Sequence, residues 1–245
     1  MSAGRILATA TRVLAQLRRD PRTLALLLVV PSVLLTLLKY LFEGQPETFD
    51  RLGGPMLGLF PFVSMFLVTS IAMLRERTSG TLERLMSLPL AKLDLLAGYG
   101  LAFASLATVQ AALVSAVAFL ALGLDTVAPA WGVIALAIGN ALLGMSLGLF
   151  VSAFARTEFQ AVQFLPAFVF PQLLLCGLFA ARDQMAEALQ VASAALPLTY
   201  AYDALDRVST AGSLGARGVL DVAVIVGATL LALVLGASTL RRRTP

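Results

Sequence analysis

Histidine is absent from this 245-residue sequence, and cysteine occurs once, at Cys176. Without an imidazole base, the chain has no Ser-His-Asp or Cys-His nucleophile system and lacks the commonest zinc ligand. A single cysteine excludes an intrachain disulfide and a thiolate metal cluster. The two lysines, Lys39 and Lys92, do not follow a GxxxxG pattern, so no P-loop is present. We therefore expect no catalytic, metal or cofactor site on this chain, and if the protein uses ATP, another polypeptide must bind it.

Charged residues are also scarce. They make up 13% of the chain, about half the usual share of a soluble protein, whereas 59% of residues are hydrophobic. The mean hydropathy is +0.89, and long uncharged runs separate the charges, which indicates a bilayer environment. The net charge of +4 comes from arginines beside apolar runs. Lipid head groups and membrane topology explain them better than nucleic acid does.

Six apolar runs are long enough to cross a bilayer as helices, since about 20 residues span its core. They lack the alternating pattern of barrel strands, so we predict an all-α membrane protein with one transmembrane domain over residues 1–245. A signal peptide is disfavoured for the first run because about twenty residues, rich in arginine, precede it. The predicted spans are 24–42, 56–74, 95–122, 131–155, 159–181 and 222–240.

Basic residues are distributed unequally between the loops that join these runs. If both termini face the cytosol, 13 of the 18 lysines and arginines lie in cytosolic segments and the other 5 lie outside. An excess of Lys and Arg in short loops marks the cytosolic side. Six crossings return both ends to one side, so we expect cytoplasmic termini. The 13 residues are Arg5, Arg12, Arg18, Arg19, Arg22, Arg75, Arg77, Arg84, Lys92, Arg156, Arg241, Arg242 and Arg243.

Three segments outside the spans have patterns of their own. In residues 1–21, apolar positions at helical spacing face away from arginines, which predicts an amphipathic helix in the membrane interface. In 75–94, Ser79 or Gly80 can cap a short cytosolic helix that Pro89 ends. Residues 182–217 are too polar to span, although part of the segment is too apolar for an ordinary loop. We expect a re-entrant or surface helix there, on the extracytoplasmic side.

The polar residues near the middle of the predicted spans are uncharged. Proton- or sodium-coupled carriers usually place ionisable groups there. Neutral amides more often form interhelical hydrogen bonds, but they can also line a substrate path. Prolines in the spans kink their helices, as a fixed shape or as a hinge. The possible path residues are Gln110, Asn140, Gln163, Phe164, Phe168 and Gln172, and the prolines are Pro31, Pro61, Pro166 and Pro171.

Residues Gly144 to Gly148 read GMSLG and match the GxSxG nucleophile elbow. That elbow needs a strand-to-helix turn and a histidine base. Here the motif lies inside a predicted span of a chain without histidine, so a hydrolase is disfavoured. The same spacing lets two helices approach closely over small residues. We predict that Gly144 and Gly148 pack against another helix.

The segment that starts at Arg75, RERTSGTLERLMSLPLAKLDLLAGY, resembles a known motif. It is similar to the E-R-E-x-G-T-L-E-x-L-x-x-x-P segment of ABC transporter permeases of the type-2 exporter class, which lies in the cytosol between the second and third spans. The interfacial helix, the six spans and the LPLTY segment at Leu196–Tyr200 extend the resemblance over essentially the whole chain. The sequence departs from the pattern within Arg75–Ser79, where family members often have another acid and one residue fewer before the glycine.

This resemblance implies that 75–94 is a coupling segment, which fits a groove on a separately encoded ATPase subunit and passes its closure to the spans. ATP and Mg²⁺ would be held by that partner. Two permeases, as a homodimer or a homologous heterodimer, would work with two ATPases among the lipids of a bacterial inner membrane. The implied coupling residues are Glu76, Gly80, Thr81, Leu82, Glu83, Arg84 and Pro89.

The expected function is therefore that of a permease subunit without enzymatic activity of its own. It would move a hydrophobic or amphipathic substrate, drug-like or lipid-linked, out of the cytosol or the inner leaflet. Two alternatives stay open. One is a secondary carrier or channel, which would work without nucleotide. The other is a membrane-embedded lipid-modifying enzyme, for which Asp203, Asp206 and Arg207 are the only candidate site.

Overall fold

The computed structural model describes residues 2–81, 84 and 92–239, and this part of the chain is helical with short connections. The first helices are α1 (Ala3–Arg18), α2 (Pro21–Leu41) and α3 (Pro46–Thr78). Next come α4 (Lys92–Ala116) with a π-helical turn (Val117–Ala121), α5 (Ala130–Val151), and α6 (Glu158–Phe164) with a second π-helical turn (Leu165–Val169). The remaining elements are α7 (Phe170–Leu175), a 3₁₀ turn (Arg182–Gln184), α8 (Glu187–Ala194), α9 (Pro197–Ala211) and α10 (Gly215–Ser238).

Five helices in the described part of the chain are long and apolar enough to cross a membrane. They are α2, α3, α4 with its π turn (Asp94–Ala121), α5 and α10. The chain is thus a multi-pass membrane protein. At 1.5 Å per residue, the 33 residues of α3 extend for about 50 Å, beyond the roughly 30 Å of hydrocarbon. One end of α3 therefore projects from the bilayer.

The predicted fifth span, 159–181, is not a single helix. It consists of α6, a π-helical turn and α7, which ends at Leu175. Pro166 and Pro171 lie in this stretch, and each lacks the N–H that a regular helix needs. We call α6, the π turn and α7 together the broken helix. It is not one of the five candidate spans, so a sixth crossing stays a prediction.

The centre of the bundle is the packing of α5 against α3. A Cβ atom at Gly144 would overlap the backbone of Phe62, and one at Gly148 would overlap the carbonyl oxygen of Phe66. Thr69 of α3 donates a hydrogen bond across this interface to the carbonyl oxygen of Met145, at 3.2 Å. Small residues let these two backbones approach closely. The predicted packing role of the two glycines is confirmed.

The helix ends gather at two opposite ends of the bundle. At the first, which we call the loop end, the last turn of α3 meets Asp20 and Glu158 through Arg75, and Thr239 through Arg77. At the second, the far end, the N–H of Val127 donates to the carbonyl oxygen of Ser209, and α9 packs on α3, α5 and α10. Residues 79–91, which connect α3 to α4, start and finish at the loop end.

Candidate coupling site at the loop end

Glu76 is bound to the N-terminal helix through Tyr99 and Arg12. The Tyr99 hydroxyl donates to Glu76 Oε2 at 2.8 Å and accepts a hydrogen bond from the Arg12 guanidinium. Arg12 also lies 3.5 Å from Glu76 Oε1 and 5.5 Å from the centre of the Tyr99 ring. Tyr99 is 1% exposed. Because buried polar groups are costly when they lose a partner, this network fixes α1, α3 and α4 relative to one another.

The other edge of the loop is also bound to α1. Asp94, in the first turn of α4, is buried and accepts a hydrogen bond from the Ser2 N–H at 3.2 Å. One turn later, a Cβ atom at Gly98 would overlap the Thr9 side chain and lie 3.0 Å from the carbonyl oxygen of Ile6. The glycine thus lets α1 lie directly on α4. Glu76 before the loop and Asp94 after it are therefore both held by one helix.

Arg75 connects three further elements at the loop end. Its Nε and Nη2 donate to the two carboxylate oxygens of Glu158, at 2.7 and 3.0 Å, and its Nη1 lies 3.9 Å from Asp20. This bidentate hydrogen bonding holds the pKa of Glu158 below its usual value. The three side chains are 41 to 56% exposed, so the pairs contribute little stability. The pairs connect the end of α3 to the residue before α2 and to the first residue of α6.

Asp20 also caps helix α2. Its carboxylate accepts hydrogen bonds from the Thr23 hydroxyl, at 2.7 Å, and from the Thr23 N–H, at 3.2 Å. These bonds lower the pKa of the Asp20 carboxyl. The cap satisfies one of the free N–H groups at the start of α2. The Arg75 contact therefore reaches a residue that defines where the first membrane helix begins.

The predicted coupling residues are described only in part. Glu76 lies in the network above, and Gly80 follows the end of α3 with a φ of +72°, a conformation that favours glycine. The Thr81 hydroxyl is 2.9 Å from that of Ser79. Arg84 is exposed, and its N–H donates to the carbonyl oxygen of Gly80 at 3.0 Å. The predicted residues Leu82, Glu83 and Pro89 lie outside the described residues.

Two path candidates lie inside the bundle, away from the broken helix. Gln110 is fully buried, and its amide nitrogen donates to Ser64 Oγ and to the carbonyl oxygen of Leu27 at 2.9 Å. Asn140 is also fully buried, and its amide nitrogen donates to the carbonyl oxygen of Ala201 at 3.4 Å. Both amides connect helices within one chain, which is the more common role of such residues.

The other path candidates lie on the broken helix. Gln163 is exposed and lines a cavity of about 430 Å³ together with Phe164. Phe168 stacks on Phe66 of α3, with ring centres 6.2 Å apart. Gln172 is buried, and its amide nitrogen donates to the carbonyl oxygen of Phe168 at 3.1 Å. The structure thus groups Gln163, Phe164, Phe168 and Gln172 on one element and separates them from Gln110 and Asn140.

The alternative enzymatic site at the far end contains a charged cavity. Asp203 and Asp206 line a cavity of about 480 Å³, and Asp203 accepts a hydrogen bond from Arg182 at 3.2 Å. Burial raises the pKa of both carboxyl groups. Arg207 lies 4.0 Å from Asp221. Within residues 2–81, 84 and 92–239, no group of three or more His, Cys, Asp or Glu side chains could hold a metal ion.

Sequence reasoning missed three residues of the loop-end site: Arg12, Tyr99 and Asp94. Arg12 was recognisable on the polar face of α1, but nothing in its spacing identified a partner 64 residues away. Tyr99 is the last residue of the segment that carries the motif. Its side chain is uncharged, so the sequence did not indicate that it binds Glu76. These contacts depend on how α1 lies across α4, which local patterns do not encode.

Comparison with known proteins agrees with this architecture. Residues 5–208 match a family model described as "ABC-2 type transporter". Over 136 residues, or 55% of the chain, the sequence is 28% identical to ABC transporter G family member 20 of Dictyostelium discoideum. The chain spans 19% of the length of that relative. The family-model match, over residues 5–208, begins within α1 and ends within α9, so it includes both edges of the loop.

Proposed function

Because this chain belongs to the ABC-2 type transporter family, we propose that it is the membrane subunit of an ATP-driven exporter that works with a separate ATPase subunit. The permease role follows from the family. Export, the partner ATPase, a second permease copy, and a bacterial inner membrane with cytoplasmic termini are our proposal. In this proposal the loop end faces the cytosol and meets the ATPase.

The observation that carries the proposal is that α1 holds both edges of the loop. Glu76 precedes the loop and Asp94 follows it, and both contact α1. A partner that displaces residues 79–91 would therefore move α1, α3 and α4 as one unit. Coupling requires that the partner bind two arrangements of this surface with different affinity. Because both edges of the loop are held by α1, this difference in binding free energy would move the spans. A loop without these contacts could change its own conformation and leave the spans in place.

The broken helix is the element that we propose for the substrate path. It exposes Phe159, Phe168 and Phe170 together with the amide of Gln163. Aromatic rings and a neutral amide suit a hydrophobic or amphipathic substrate, either drug-like or lipid-linked. The six predicted spans would form half of a pathway, so a second permease copy would complete it. Arg75 connects α3 to Glu158 at the start of this helix, which supports movement of the path with the loop.

Co-purification with the ATPase tests the proposal. An ABC ATPase co-expressed with the full chain should be retained on the tagged permease, and its ATP hydrolysis should drive substrate export from reconstituted vesicles. Glu76→Gln should lower export several-fold, because it removes the negative charge that pairs with Arg12 and accepts the Tyr99 hydrogen bond. Glu43→Gln, an exposed carboxylate at the far end, should leave export unchanged. Equal effects of the two substitutions would contradict the coupling role.

The alternative functions predict different outcomes. Transport that persists without nucleotide and follows a proton gradient would replace the proposal with a carrier. Chemical modification of lipid by the purified chain, abolished by Asp206→Asn, would replace it with an enzyme at the far-end cavity. Retention of the ATPase together with nucleotide-dependent export would exclude both.

A further inference from the structure

A cavity of about 500 Å³ lies between α3, α4, α5 and α10, on the loop-end half of the bundle. Its walls are mainly apolar and include Met73, Leu101, Leu142, Leu149 and Leu233. The wall residues on α5 extend over about 10 Å along the helix. Two of the lining residues, Leu101 and Val234, are 45% and 65% exposed. The cavity therefore opens sideways, towards the hydrocarbon of one leaflet.

Small residues create this space. Gly100 of α4 lines the cavity, and a Cβ atom at Gly100 would meet no atom within 4 Å. Ala97 and Ala104, one turn before and after it, line the same wall. An apolar opening of this kind in a bilayer is filled by apolar chains, because water would lose hydrogen bonds there. Lipid acyl chains are the apolar groups that surround a membrane helix.

Among the described residues that line the cavity, Arg77 is the only charged one. Its Nη2 donates to the Thr239 hydroxyl at 3.2 Å, and its Nε is buried without a hydrogen-bond partner. Among the described residues, no carboxylate forms an ion pair with Arg77. A partly buried guanidinium without a carboxylate partner is unfavourable, and a planar N–H fork matches phosphate oxygens in particular. The cavity thus combines apolar walls with a cation that has no carboxylate partner in the described part of the chain.

The sequence next to this cavity is basic. Three arginines follow Thr239 within four residues, Arg241, Arg242 and Arg243. The carbonyl ends of α3 and α10 each carry at most about half a negative charge, less than the full positive charge of Arg77.

We propose that this cavity is a binding site for an anionic phospholipid, with one acyl chain between α4 and α10 and the phosphate on Arg77. The site is separate from the broken helix and from Glu76, so it does not depend on the proposed exporter function. A lipid held there would contact α3 and α10 at the end that carries the loop. Its occupancy would therefore adjust how firmly α10 is held against α3 and α4.

Native mass spectrometry of the purified full chain, titrated with phosphatidylglycerol or phosphatidylcholine, tests the proposal. We expect phosphatidylglycerol to bind more tightly, and Arg77→Gln to weaken it about tenfold, which is the loss of one charge-assisted contact. Gly100→Leu should weaken it comparably, because the new side chain fills the cavity while the charge remains. Arg77→Lys should retain part of the preference, since it keeps the charge and loses the fork.

Arg156→Gln is the matched control, since Arg156 is an exposed arginine at the same end of the bundle. It should leave binding unchanged. An equal loss in Arg156→Gln would indicate general attraction of anionic lipid and overturn the proposal. Equal affinity for the two lipids, or normal binding in Gly100→Leu, would overturn it too. ATP-driven export plays no part in this measurement, so its failure and the failure of the exporter proposal are distinguishable.

Discussion

At the scale of single residues, Tyr99 links three helices through one hydroxyl group. That hydroxyl accepts from Arg12 and donates to Glu76, and the ring lies beneath the guanidinium. The arrangement places the only aromatic hydroxyl of α4 between the N-terminal helix and the residue that precedes the loop. A hydroxyl in this position orients two charged groups whose nearest atoms lie 3.5 Å apart.

We predict that Tyr99→Phe reduces permease-stimulated ATP hydrolysis and export several-fold. The substitution keeps the packed ring but leaves Glu76 and Arg12 each without one partner, a cost of about 1–3 kcal/mol. Vesicles reconstituted with the ATPase would give both rates. Tyr40→Phe is the control, since Tyr40 is 65% exposed on α2. Normal export in Tyr99→Phe would show that the network does not participate in coupling.

Gly144 gives a second prediction at this scale. Gly144→Ala places a methyl group against the backbone of Phe62. Backbone atoms inside a helix cannot move aside as the end of a flexible side chain can. We expect the thermal midpoint to fall, because overpacking at such a contact costs about 1–3 kcal/mol. Gly139→Ala is on the same helix and has no atom within 4 Å of its new methyl group. It should be neutral or slightly stabilising, and an equal fall in both variants would contradict close packing at Gly144.

At the scale of helices, α9 carries partly buried carboxylates at the far end, Asp203 and Asp206. Asp203 faces Arg182 at 3.2 Å, and Arg207 and Arg217 also attract it. Burial nevertheless raises the pKa of the Asp203 carboxyl, because desolvation of the charged form outweighs these attractions. The folded protein therefore binds a proton at Asp203 more tightly than the unfolded chain does.

The raised pKa of Asp203 predicts how the stability of the protein depends on pH. The stability that Asp203 contributes is fully present below its unfolded value of about 3.8 and is lost as the pH rises through the raised folded pKa. The thermal midpoint of the wild type, measured relative to Asp203→Asn, should therefore rise as the pH falls from 8 to 4. Asp183→Asn, an exposed carboxylate on the rim of the same cavity, is the control. A difference between wild type and Asp203→Asn that does not change with pH would contradict a raised pKa.

The helices also show which features of the fold sequence patterns could predict and which they could not. Apolar run length predicted the positions of α2, α4, α5 and α10, because the bilayer imposes that length on any spanning helix. The same pattern did not predict that 159–181 divides into α6, a π turn and α7, since hydropathy does not register missing N–H groups. Pro166 and Pro171 were recognised as kinks, but their combined effect depends on how the chain re-forms its hydrogen bonds.

At the scale of the whole molecule, the family resemblance that the motif at 75–94 suggested is confirmed by the match over residues 5–208. The fold class was predictable because a chain with so little charge has few soluble alternatives. The coupling residues Leu82, Glu83 and Pro89 stay predictions. The partners of Glu76 were not predictable, since Arg12 and Tyr99 are distant in sequence and meet only when α1 lies across α4.

Orientation in the membrane gives a prediction for the complete bundle. In a Cys176→Ser background, we expect Asp183→Cys to react with a membrane-impermeant maleimide in intact cells. Ser79→Cys should react only after permeabilisation, because the excess of arginine places the loop end in the cytosol. Both positions are exposed, so accessibility is comparable. Labelling of position 79 in intact cells would invert the topology and remove the proposed ATPase contact.

The contacts of Arg75 have a consequence for how this permease can respond to a partner. The Arg75 guanidinium forms a bidentate hydrogen bond with Glu158, at the start of the broken helix, and lies beside Asp20, which caps α2. A shift of the α3 end is thus passed to two neighbours at once, α2 and α6. A movement that the partner imposes on the end of α3 would therefore displace α2 and α6 together, and neither of them alone.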